Sequence, residues 1–378
     1  MPQRTKATDA RLHYAASNED ADMLYATGFF APDPFWFLEH RGKKMVFLHD
    51  LEVDRGRHQL CGIEVVAWSE LEQNLGSRKR NGCAVQIMAR YLRKLGIRSV
   101  EVPARFPLGI AKKLAACGVV CKVKDGAFFP ERERKSETEI RYIAQAQRVA
   151  QVAMARAKEI LGECKWRKDK VLRWRGRVLD SGRLRAELQA VLAQQGAHCE
   201  RLIVAGGEEA CDPHEIGSKE LYAEQMIVVD IFPRILSTGY WGDLTRTFCV
   251  GEPRAELAAV HAAVLAAQKK ALAQICEGCQ GKALQEEIRA FFSTRGYITG
   301  VQDGRNVGFF HGLGHGVGLE IHEAPRFSDG NLRAGHVITV EPGLYYPGLG
   351  GVRIEDLVVV TQEGYRNLTS FPKDWRIK

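Results

Sequence analysis

Four carboxylates and one imidazole in the second half of the chain have the types and spacing expected of metal ligands. They are Asp230, Asp243, His315, Glu341 and Glu355. Three of the carboxylates stand at the end or the start of an apolar run typical of a buried strand, where a charge is costly unless a positive group lies beside it. Four carboxylates that meet would repel each other, and two divalent cations carry the positive charge that cancels them. The pattern therefore predicts a dinuclear metal site.

The ligand types also indicate which metals would bind. Oxygen-rich sites with a single imidazole suit Mn²⁺, Co²⁺, Fe²⁺ or Zn²⁺, whereas structural zinc sites are rich in thiolates. Carboxylates can bridge two ions that share a hydroxide, and such a pair lowers the pKa of bound water and polarises a carbonyl group. We expect two divalent ions, Mn²⁺ first, with Co²⁺, Zn²⁺ or Fe²⁺ as alternatives.

Histidines are concentrated around the imidazole ligand. Between His311 and residue 318, every even position is glycine, so the odd positions, including His315, would share one side of an extended segment. Glycines on the other side would let another backbone approach closely. A third histidine, His322, follows seven residues after His315.

The four acids form two pairs, and each pair brackets a segment rich in glycine and proline. Twelve residues lie between Asp230 and Asp243, and thirteen lie between Glu341 and Glu355. Two hairpins, each offering one acid from either strand, would form two half-sites that face each other across a pseudo-twofold axis.

Helices and strands that could position these residues follow from apolar periodicity. Beta and alpha signals alternate over the first 130 or so residues, which favours a layered α/β domain. Strands are predicted at 44–48, 63–68 and 99–102, and helices at 84–95 and 108–116. A charged hinge near 130–136 ends this region.

The second region is predicted to be α+β. Ser136 and Glu139 have the spacing of a capping box, and apolar residues from 143 to 160 recur every three or four positions, as on one face of a long helix. Further helices are predicted from about 254 and at 284–294. Strands are predicted at 201–205, 225–232, 244–250, 337–340 and 353–361.

Composition is ordinary for a globular protein, with 45% hydrophobic and 26% charged residues among 378. The polar start of the chain has no signal-like apolar region, no run is long enough to span a membrane, and ten scattered cysteines suggest reduced thiols, so we expect a cytoplasmic protein. The stretch 165–185 is basic and contains two tryptophans. We interpret it as a solvated helix-loop-helix face, with nucleic-acid binding as the less favoured alternative.

The motifs around the five ligands resemble those of the pita-bread metallopeptidases, in particular the proline-specific branch of aminopeptidase P and prolidase. The motifs are 239–247 (GYWGDLTRT), 311–326 (HGLGHGVGLEIHEAPR), 341–345 (EPGLY) and 351–356 (GVRIED), together with Asp230. The resemblance implies a pita-bread catalytic domain over residues 134–378, with two pseudo-symmetric αβ halves and a curved antiparallel sheet. Residues 1–133 would form a smaller α/β creatinase-type N-terminal domain.

The resemblance also implies a role for each ligand. Asp230 would chelate one metal, and Asp243 and Glu355 would bridge both. His315 and Glu341 would bind the other metal, and Glu341 would also take the proton from the attacking water.

Further residues match substrate positions of the same family. His214 corresponds to a histidine near the scissile bond, and His322 to one that stabilises the carbonyl oxygen. His311 and Arg353 correspond to outer positions of the site, and Arg326 to a residue proposed to hold the free carboxylate of the substrate, for which an arginine fork is suited. The turn after Asp230 is longer than the family pattern, and we expect it to change the rim of the site without moving the ligands.

The expected function is therefore hydrolysis of the Xaa-Pro bond of dipeptides or peptide N-termini by a dinuclear-metal exopeptidase with a metal-bridging hydroxide. The partner would be an Xaa-Pro peptide, and the enzyme a homodimer without a membrane or nucleic-acid partner. Two alternatives are a creatinase-type C–N hydrolase and a catalytically inactive pita-bread protein that binds nucleic acid or another protein.

Overall fold

The computed structural model describes residues 10–75 and 84–378. The chain divides into two compact units, Met1–Arg132 and Glu133–Lys378. The expectation of no secretory signal rests on the polar start of the chain. Residues 1–9 of this segment lie outside the described residues.

The first unit contains a six-stranded mixed sheet with strand order β4-β3-β2-β1-β5-β6. Its strands are β1 (Ala10–Ala15), β2 (Phe35–His40), β3 (Lys43–Leu48), β4 (Glu64–Ala67), β5 (Ser99–Val102) and β6 (Val120–Val123). Its helices are α1 (Ala21–Thr27), α2 (Asp50–Gln59), α3 (Trp68–Asn74), α4 (Ala84–Lys94) and α5 (Leu108–Ala116).

Both faces of this sheet are covered. Along β2, Trp36 and Leu38 pack into one apolar cluster with residues of α4, while Phe35 and Phe37 pack into a second cluster with residues of α1 and α2. This follows from the alternation of side chains along a strand. The predicted layered α/β arrangement is thus confirmed, except that the strand predicted at 63–68 is shorter because Trp68 already begins α3.

The second unit is built from four described helices and several small sheets, which are antiparallel except for the pairing of its last strand, Arg376–Ile377. The helices are α6 (Glu137–Gly162), α7 (Ser181–Gln194), α8 (Ala255–Leu272) and α9 (Gly281–Ser293). The strands up to α8 are β7 (Arg173–Trp174), β8 (Arg177–Val178), β9 (Ala197–His198), β10 (Ile203–Gly206), β11 (Ile227–Ile231), β12 (Arg234–Ile235) and β13 (Leu244–Val250). The later strands are β14 (Gly300–Gln302), β15 (Arg305–Val307), β16 (His315–Gly316), β17 (Glu323–Arg326), β18 (Val337–Val340), β19 (Gly343–Tyr346), β20 (Gly350–Arg353), β21 (Asp356–Val360), β22 (Tyr365–Asn367) and β23 (Arg376–Ile377).

This unit has two halves, each with a long helix and its own core. Ser136 and Glu139 form the predicted capping box at the start of α6, whose apolar face packs with β11 and β13. In the other half, α8 packs its apolar face against residues of β18, β20 and β21. We call these the α6 half and the α8 half.

The predicted strand pairs that carry the acids are both present. In the α6 half, β11 and β13 are antiparallel, and Asp230 lies opposite Thr245. In the α8 half, β18 and β21 are antiparallel, and Val340 lies opposite Asp356. The α8 half has a further antiparallel hairpin, β19 and β20, inserted between its two strands.

The basic stretch 165–185 differs from the predicted helix-loop-helix. It contains the β7–β8 hairpin and only the start of α7. Trp174 is 1% exposed, and three arginines, Arg156, Arg175 and Arg183, lie over its ring. The helix-loop-helix prediction was wrong because Trp174 is the buried centre of a hairpin, and arginines of this stretch contact its indole.

The nine cysteines within the described residues are free thiols, as predicted. Within residues 10–75 and 84–378, no helix combines the length and apolarity needed to cross a bilayer.

Candidate metal centre

Three of the five predicted ligands meet closely in the second unit. Asp243, His315 and Glu355 each offer one ligand atom, and these atoms lie within 4.8 Å of one another. Glu341 joins them, because its Oε1 lies 3.4 Å from His315 Nε2. The two strand pairs thus bring together acids from distant parts of the sequence, such as Asp243 and Glu355.

The main chain around the acids is tied across the two halves. The Glu355 N–H donates to the Thr245 carbonyl oxygen at 3.1 Å, and the Thr245 hydroxyl donates to Glu355 Oε2 at 2.8 Å. The Thr247 hydroxyl oxygen accepts the Arg353 N–H at 3.0 Å. The position of Glu355 is therefore fixed by the strand that follows Asp243.

Asp230 is held by a buried arginine. Arg353, in β20, donates from Nη2 to Asp230 Oδ2 at 2.8 Å, and their side chains are 4% and 12% exposed. The other oxygen, Oδ1, is buried and has no hydrogen-bond partner within the described residues. A buried carboxylate oxygen without a partner is costly, and a bound cation would satisfy it.

His315 has the orientation of a neutral ligand. Its Nδ1 lies 3.1 Å from the Gly316 carbonyl oxygen, which requires a proton on Nδ1 and leaves the Nε2 lone pair facing Asp243 and Glu341. Burial lowers the pKa of His315 to about 3, and the nearby charge of His322 acts in the same direction. The ring therefore stays neutral, as metal binding requires.

The pKa values of three of the buried carboxylates are raised. Burial raises the pKa of Asp243 well above its usual range, and the charge of Glu355 adds to this. Burial followed by the charge of Glu341 raises the pKa of Glu355 in the same way. Burial raises the pKa of Glu341 to about 8, although Arg353 opposes the shift. Burial is the main cause of these shifts, and the like charges of neighbouring carboxylates add to it. Divalent cations bound here would favour the charged carboxylates and lower these pKa values.

The outer positions predicted for the site form one hydrogen-bonded network. Arg353 Nη1 donates to the Tyr345 hydroxyl oxygen at 3.0 Å, and this hydroxyl lies 3.0 Å from His311 Nε2. His311 Nδ1 lies 2.8 Å from the Gly312 carbonyl oxygen, so Nδ1 carries the proton and Nε2 accepts from Tyr345. Arg353 Nε donates to the Thr245 hydroxyl at 3.2 Å, which links Asp230 to Glu355.

The predicted substrate residues lie at the exposed side of the site. The His322 ring is 4.3 Å from that of His315, nearly perpendicular to it, and His322 itself is exposed. Partial desolvation of its ring lowers the pKa of His322, and the charge of His214 acts in the same direction. His214 is also exposed. Arg326 is exposed, and its backbone lies opposite His315 in the β16–β17 pair.

The alternating glycines allow the predicted close approach of another backbone at two of four positions, Gly314 and Gly316. A Cβ on Gly314 would collide with the Thr339 carbonyl oxygen, one on Gly316 would lie 2.5 Å from the Ala324 carbonyl oxygen, and one on Gly318 would collide with the Glu323 carboxylate. Gly312 has no contact closer than 3.8 Å at this position. The close approaches allow the segment of His315 to lie between β17 and β18.

Sequence reasoning missed the neutral residues that support the ligands. Thr245 and Thr339 bind Glu355 and Glu341 through their hydroxyl groups, and Tyr345 binds Arg353. Two buried glutamines, Gln147 and Gln268, bind the main chain at the acids. The two glutamines could have been found, since each lies on the apolar face of a predicted helix.

The donor set fits divalent cations. It consists of carboxylate oxygens and one neutral imidazole nitrogen, and it includes a buried oxygen of Asp230 without a partner. Ligands of this kind suit borderline-hard divalent metals.

Comparisons with known proteins agree with this site. Residues 141–362 match the model of metallopeptidase family M24. The Xaa-Pro dipeptidase of Pyrococcus horikoshii is 32% identical over 287 residues, which cover 74% of this chain and 75% of that protein.

Two solved structures resemble the whole chain. One is an Xaa-Pro dipeptidase from Bacillus anthracis, with a TM-score of 0.81 and 25% identity over 98% of this chain and 95% of that chain. The other is an X-Pro aminopeptidase from Thermotoga maritima, with a TM-score of 0.81 and 26% identity over 98% of both chains. The predicted pita-bread catalytic domain and the preceding α/β domain are confirmed. The chain belongs to metallopeptidase family M24.

Proposed function

We propose that this protein is a dinuclear-metal exopeptidase that hydrolyses the peptide bond before proline. The observation that carries the proposal is the meeting of Asp243, His315 and Glu355 within 4.8 Å, with Glu341 beside them. The names of its relatives, Xaa-Pro dipeptidase and X-Pro aminopeptidase, support proline as the residue after the cleaved bond.

Each predicted ligand keeps its role in the proposal. Asp230, Asp243, His315, Glu341 and Glu355 would hold two divalent cations, with Mn²⁺ as the first choice. When bound, these cations would activate water and polarise the scissile carbonyl group.

The remaining steps belong to side chains of this chain. Glu341 would take the proton from the attacking water and return it to the leaving nitrogen. His322 and His214 would donate hydrogen bonds to the carbonyl oxygen as negative charge develops on it. Arg326, which is exposed beside His315, would bind a free substrate carboxylate.

Proline substrates suit a site of this kind. The nitrogen of an Xaa-Pro amide carries no hydrogen, and the ring fixes its φ angle. A peptidase that reads this N–H could not use the substrate. A site that acts on the carbonyl group does not need the missing hydrogen, and only the leaving imino nitrogen requires a proton.

The test compares substrates on metal-free protein resupplied with Mn²⁺ or Co²⁺. We expect cleavage of Ala-Pro, of a tripeptide beginning Xaa-Pro, or of both, and no cleavage of Ala-Ala. Preference for Ala-Pro that is lost in Arg326→Met would assign the dipeptidase role to Arg326. Failure on every proline substrate with either metal would contradict the proposal.

The domain assignment is part of the same proposal. Residues 134–378 would form the catalytic domain, and residues 1–133 the creatinase-like N-terminal domain. The compact units Met1–Arg132 and Glu133–Lys378 support this division. Expression of residues 133–378 alone should yield a folded protein that binds Mn²⁺, and an insoluble product would contradict it.

We further propose that the enzyme is a cytoplasmic homodimer, by analogy with the proline-specific branch of the family. The free thiols of the nine described cysteines are consistent with a reducing compartment. Light scattering that gives twice the mass of the 42.2 kDa chain would support the dimer, and a monomer at all concentrations would contradict it.

A further inference from the structure

Two buried glutamines contact the main chain at one predicted metal ligand, Asp243, and immediately before two others, Glu341 and Glu355. Gln147 lies on α6 and Gln268 lies on α8, and both side chains are fully buried. Each glutamine therefore comes from the long helix of its own half. This placement repeats the pseudo-twofold arrangement of the acids.

Gln147 binds both polar groups of the Asp243 main chain. Its Oε1 accepts the Asp243 N–H at 2.8 Å, and its Nε2 donates to the Asp243 carbonyl oxygen at 2.8 Å. The second Nε2 hydrogen reaches the Thr369 hydroxyl at 2.8 Å, and Thr369 in turn accepts the Leu357 N–H, two residues beyond Glu355. Every polar group of this amide is used.

Gln268 binds the residues that precede the two glutamate ligands. Its Nε2 donates to the carbonyl oxygens of Val340 and Ile354 at 3.0 and 3.2 Å. These residues stand immediately before Glu341 and Glu355. One side chain thus holds the two strands of the α8 half at the points where their acids begin.

The chemistry of Gln268 argues against a purely structural role. Its Oε1 is buried and has no hydrogen-bond partner within the described residues. An unpaired buried polar atom costs stability, and an apolar side chain of similar shape would avoid that cost. An amide at this position is therefore best explained by its two donors.

Neutral amides also suit the charge of the site. A glutamate in place of either glutamine would add a negative charge beside carboxylates whose pKa values are already raised by burial and by each other's charges. A lysine could not accept the Asp243 N–H. Glutamine supplies donors and an acceptor from a rigid helix without adding charge.

We propose that Gln147 and Gln268 are positioning residues that hold Asp243, Glu341 and Glu355 at cation-binding spacing before any cation is present. The inference rests on the proposed metal-dependent function. Without these amides, the mutual repulsion of the carboxylates would spread the ligands, and the binding of cations would have to draw them together again.

The experiment titrates metal-free Gln147→Met and Gln268→Met with Mn²⁺, using electron paramagnetic resonance to count free and bound ions. Mutation of a residue that supports a metal ligand typically lowers metal affinity by about 10–100-fold. We expect losses of Mn²⁺ affinity in this range for each variant. The thermal midpoint of the metal-free protein is measured in parallel.

Gln151→Met is the matched control. Gln151 lies one turn further along α6, and its Oε1 accepts the N–H and hydroxyl hydrogens of Ser370, away from the acids. We expect a lowered thermal midpoint with Mn²⁺ binding unchanged. Equal loss of Mn²⁺ affinity in the control and in Gln147→Met would assign the effect to general loosening of α6 and overturn the inference.

The remaining outcomes are distinguishable. Wild-type protein that binds no Mn²⁺ would overturn the proposed function, whereas normal binding by both folded glutamine variants would overturn only this inference. If Gln147→Met does not fold, Gln147→Asn keeps the amide but withdraws it by one methylene, and we expect weakened binding. A position 147 that tolerates neither change would be structural, which also overturns the inference.

Discussion

The α6 half and the α8 half each contribute a long helix, an antiparallel strand pair, a buried glutamine and two carboxylates, but they differ in charge. The imidazole of His315 and the guanidinium of Arg353 both come from the α8 half. Arg353 neutralises Asp230, which belongs to the α6 half. The α6 half therefore depends on the other half for the compensation of its own acids.

The two halves also differ in the segment that connects their two acids. In the α6 half, the segment between Asp230 and Asp243 holds only the short strand β12, whereas the α8 half inserts the β19–β20 hairpin between its acids. This hairpin carries both Tyr345 and Arg353. The two similar halves thus provide the scaffold for four carboxylates. The inserted hairpin provides Arg353, whose positive charge offsets part of their negative charge, and Tyr345, which binds Arg353.

The largest effect should come from the carboxylate assigned to proton transfer in the α8 half. We expect Glu341→Gln to lower kcat by about 10²–10⁴-fold, the usual contribution of a positioned acid or base, at a Mn²⁺ concentration high enough to offset the lost charge of this proposed ligand. The measurement is Ala-Pro turnover with metal analysis of the same sample. Glu363→Gln, at an exposed position of the same half, serves as the control, and an active Glu341→Gln would remove the assigned role.

The dependence of Asp230 in the α6 half on a positive charge from the α8 half can be tested by replacing Arg353. We expect Arg353→Met to lower the free energy of unfolding of the metal-free protein by about 3–5 kcal/mol, because it leaves Asp230 buried without its partner. Urea unfolding measures this change. Arg376→Met, which removes the exposed Arg376–Glu252 pair, should change little. Equal effects in the two variants would contradict the dependence.

The fit of the α6 half can be tested at Gly242. A Cβ at this position would lie 2.6 Å from main-chain atoms of Ala146 and Gln147 in α6. We expect Gly242→Ala to cost about 1–3 kcal/mol of stability through overpacking. Gly364→Ala, where a Cβ meets nothing within 4 Å, is the matched control. Similar unfolding midpoints for the two variants would show that α6 can move away from Asp243.

A smaller difference concerns pH, because the buried histidines of the second unit within the described residues, His261 and His336, both lie in the α8 half. Burial lowers the pKa of His336 to about 4, and the charges of Lys135, Arg333 and Arg134 act in the same direction. Its Nδ1 accepts the Arg333 N–H at 3.1 Å, which protonation would prevent.

The depressed pKa of His336 makes the folded protein less stable at acid pH. The unfolded chain takes up a proton near pH 6.5, whereas folded His336 resists it down to about pH 4. The contribution of His336 to the free energy of unfolding is therefore present above pH 6.5 and is lost as the pH falls toward 4. The loss is about 1 kcal/mol between pH 6.5 and 5.5. His336→Gln should flatten this slope in urea unfolding series. An unchanged slope would assign the acid sensitivity to other groups.

Much of the fold could be predicted from periodicity and capping signals. The face of α6, the capping box of Ser136 and the bounds of α5 and β18 agree with the structure. Errors arose where local patterns have more than one cause. The basic stretch 165–185 suggests a solvated helix-loop-helix face, but Arg175 and Arg183 lie over the buried indole of Trp174 in a hairpin.

The amino-acid sequence by itself determined the ligand types, their order along the chain and their place at the ends of buried strands, since these depend on local apolar runs. Only the tertiary structure decided which neutral groups support them. Gln147 meets Asp243 and Gln268 meets Val340 and Ile354 through helix-to-sheet packing over long sequence separations. A glutamine on an apolar helix face is visible in the sequence, but its partner is not, because contacts over such separations leave no local pattern.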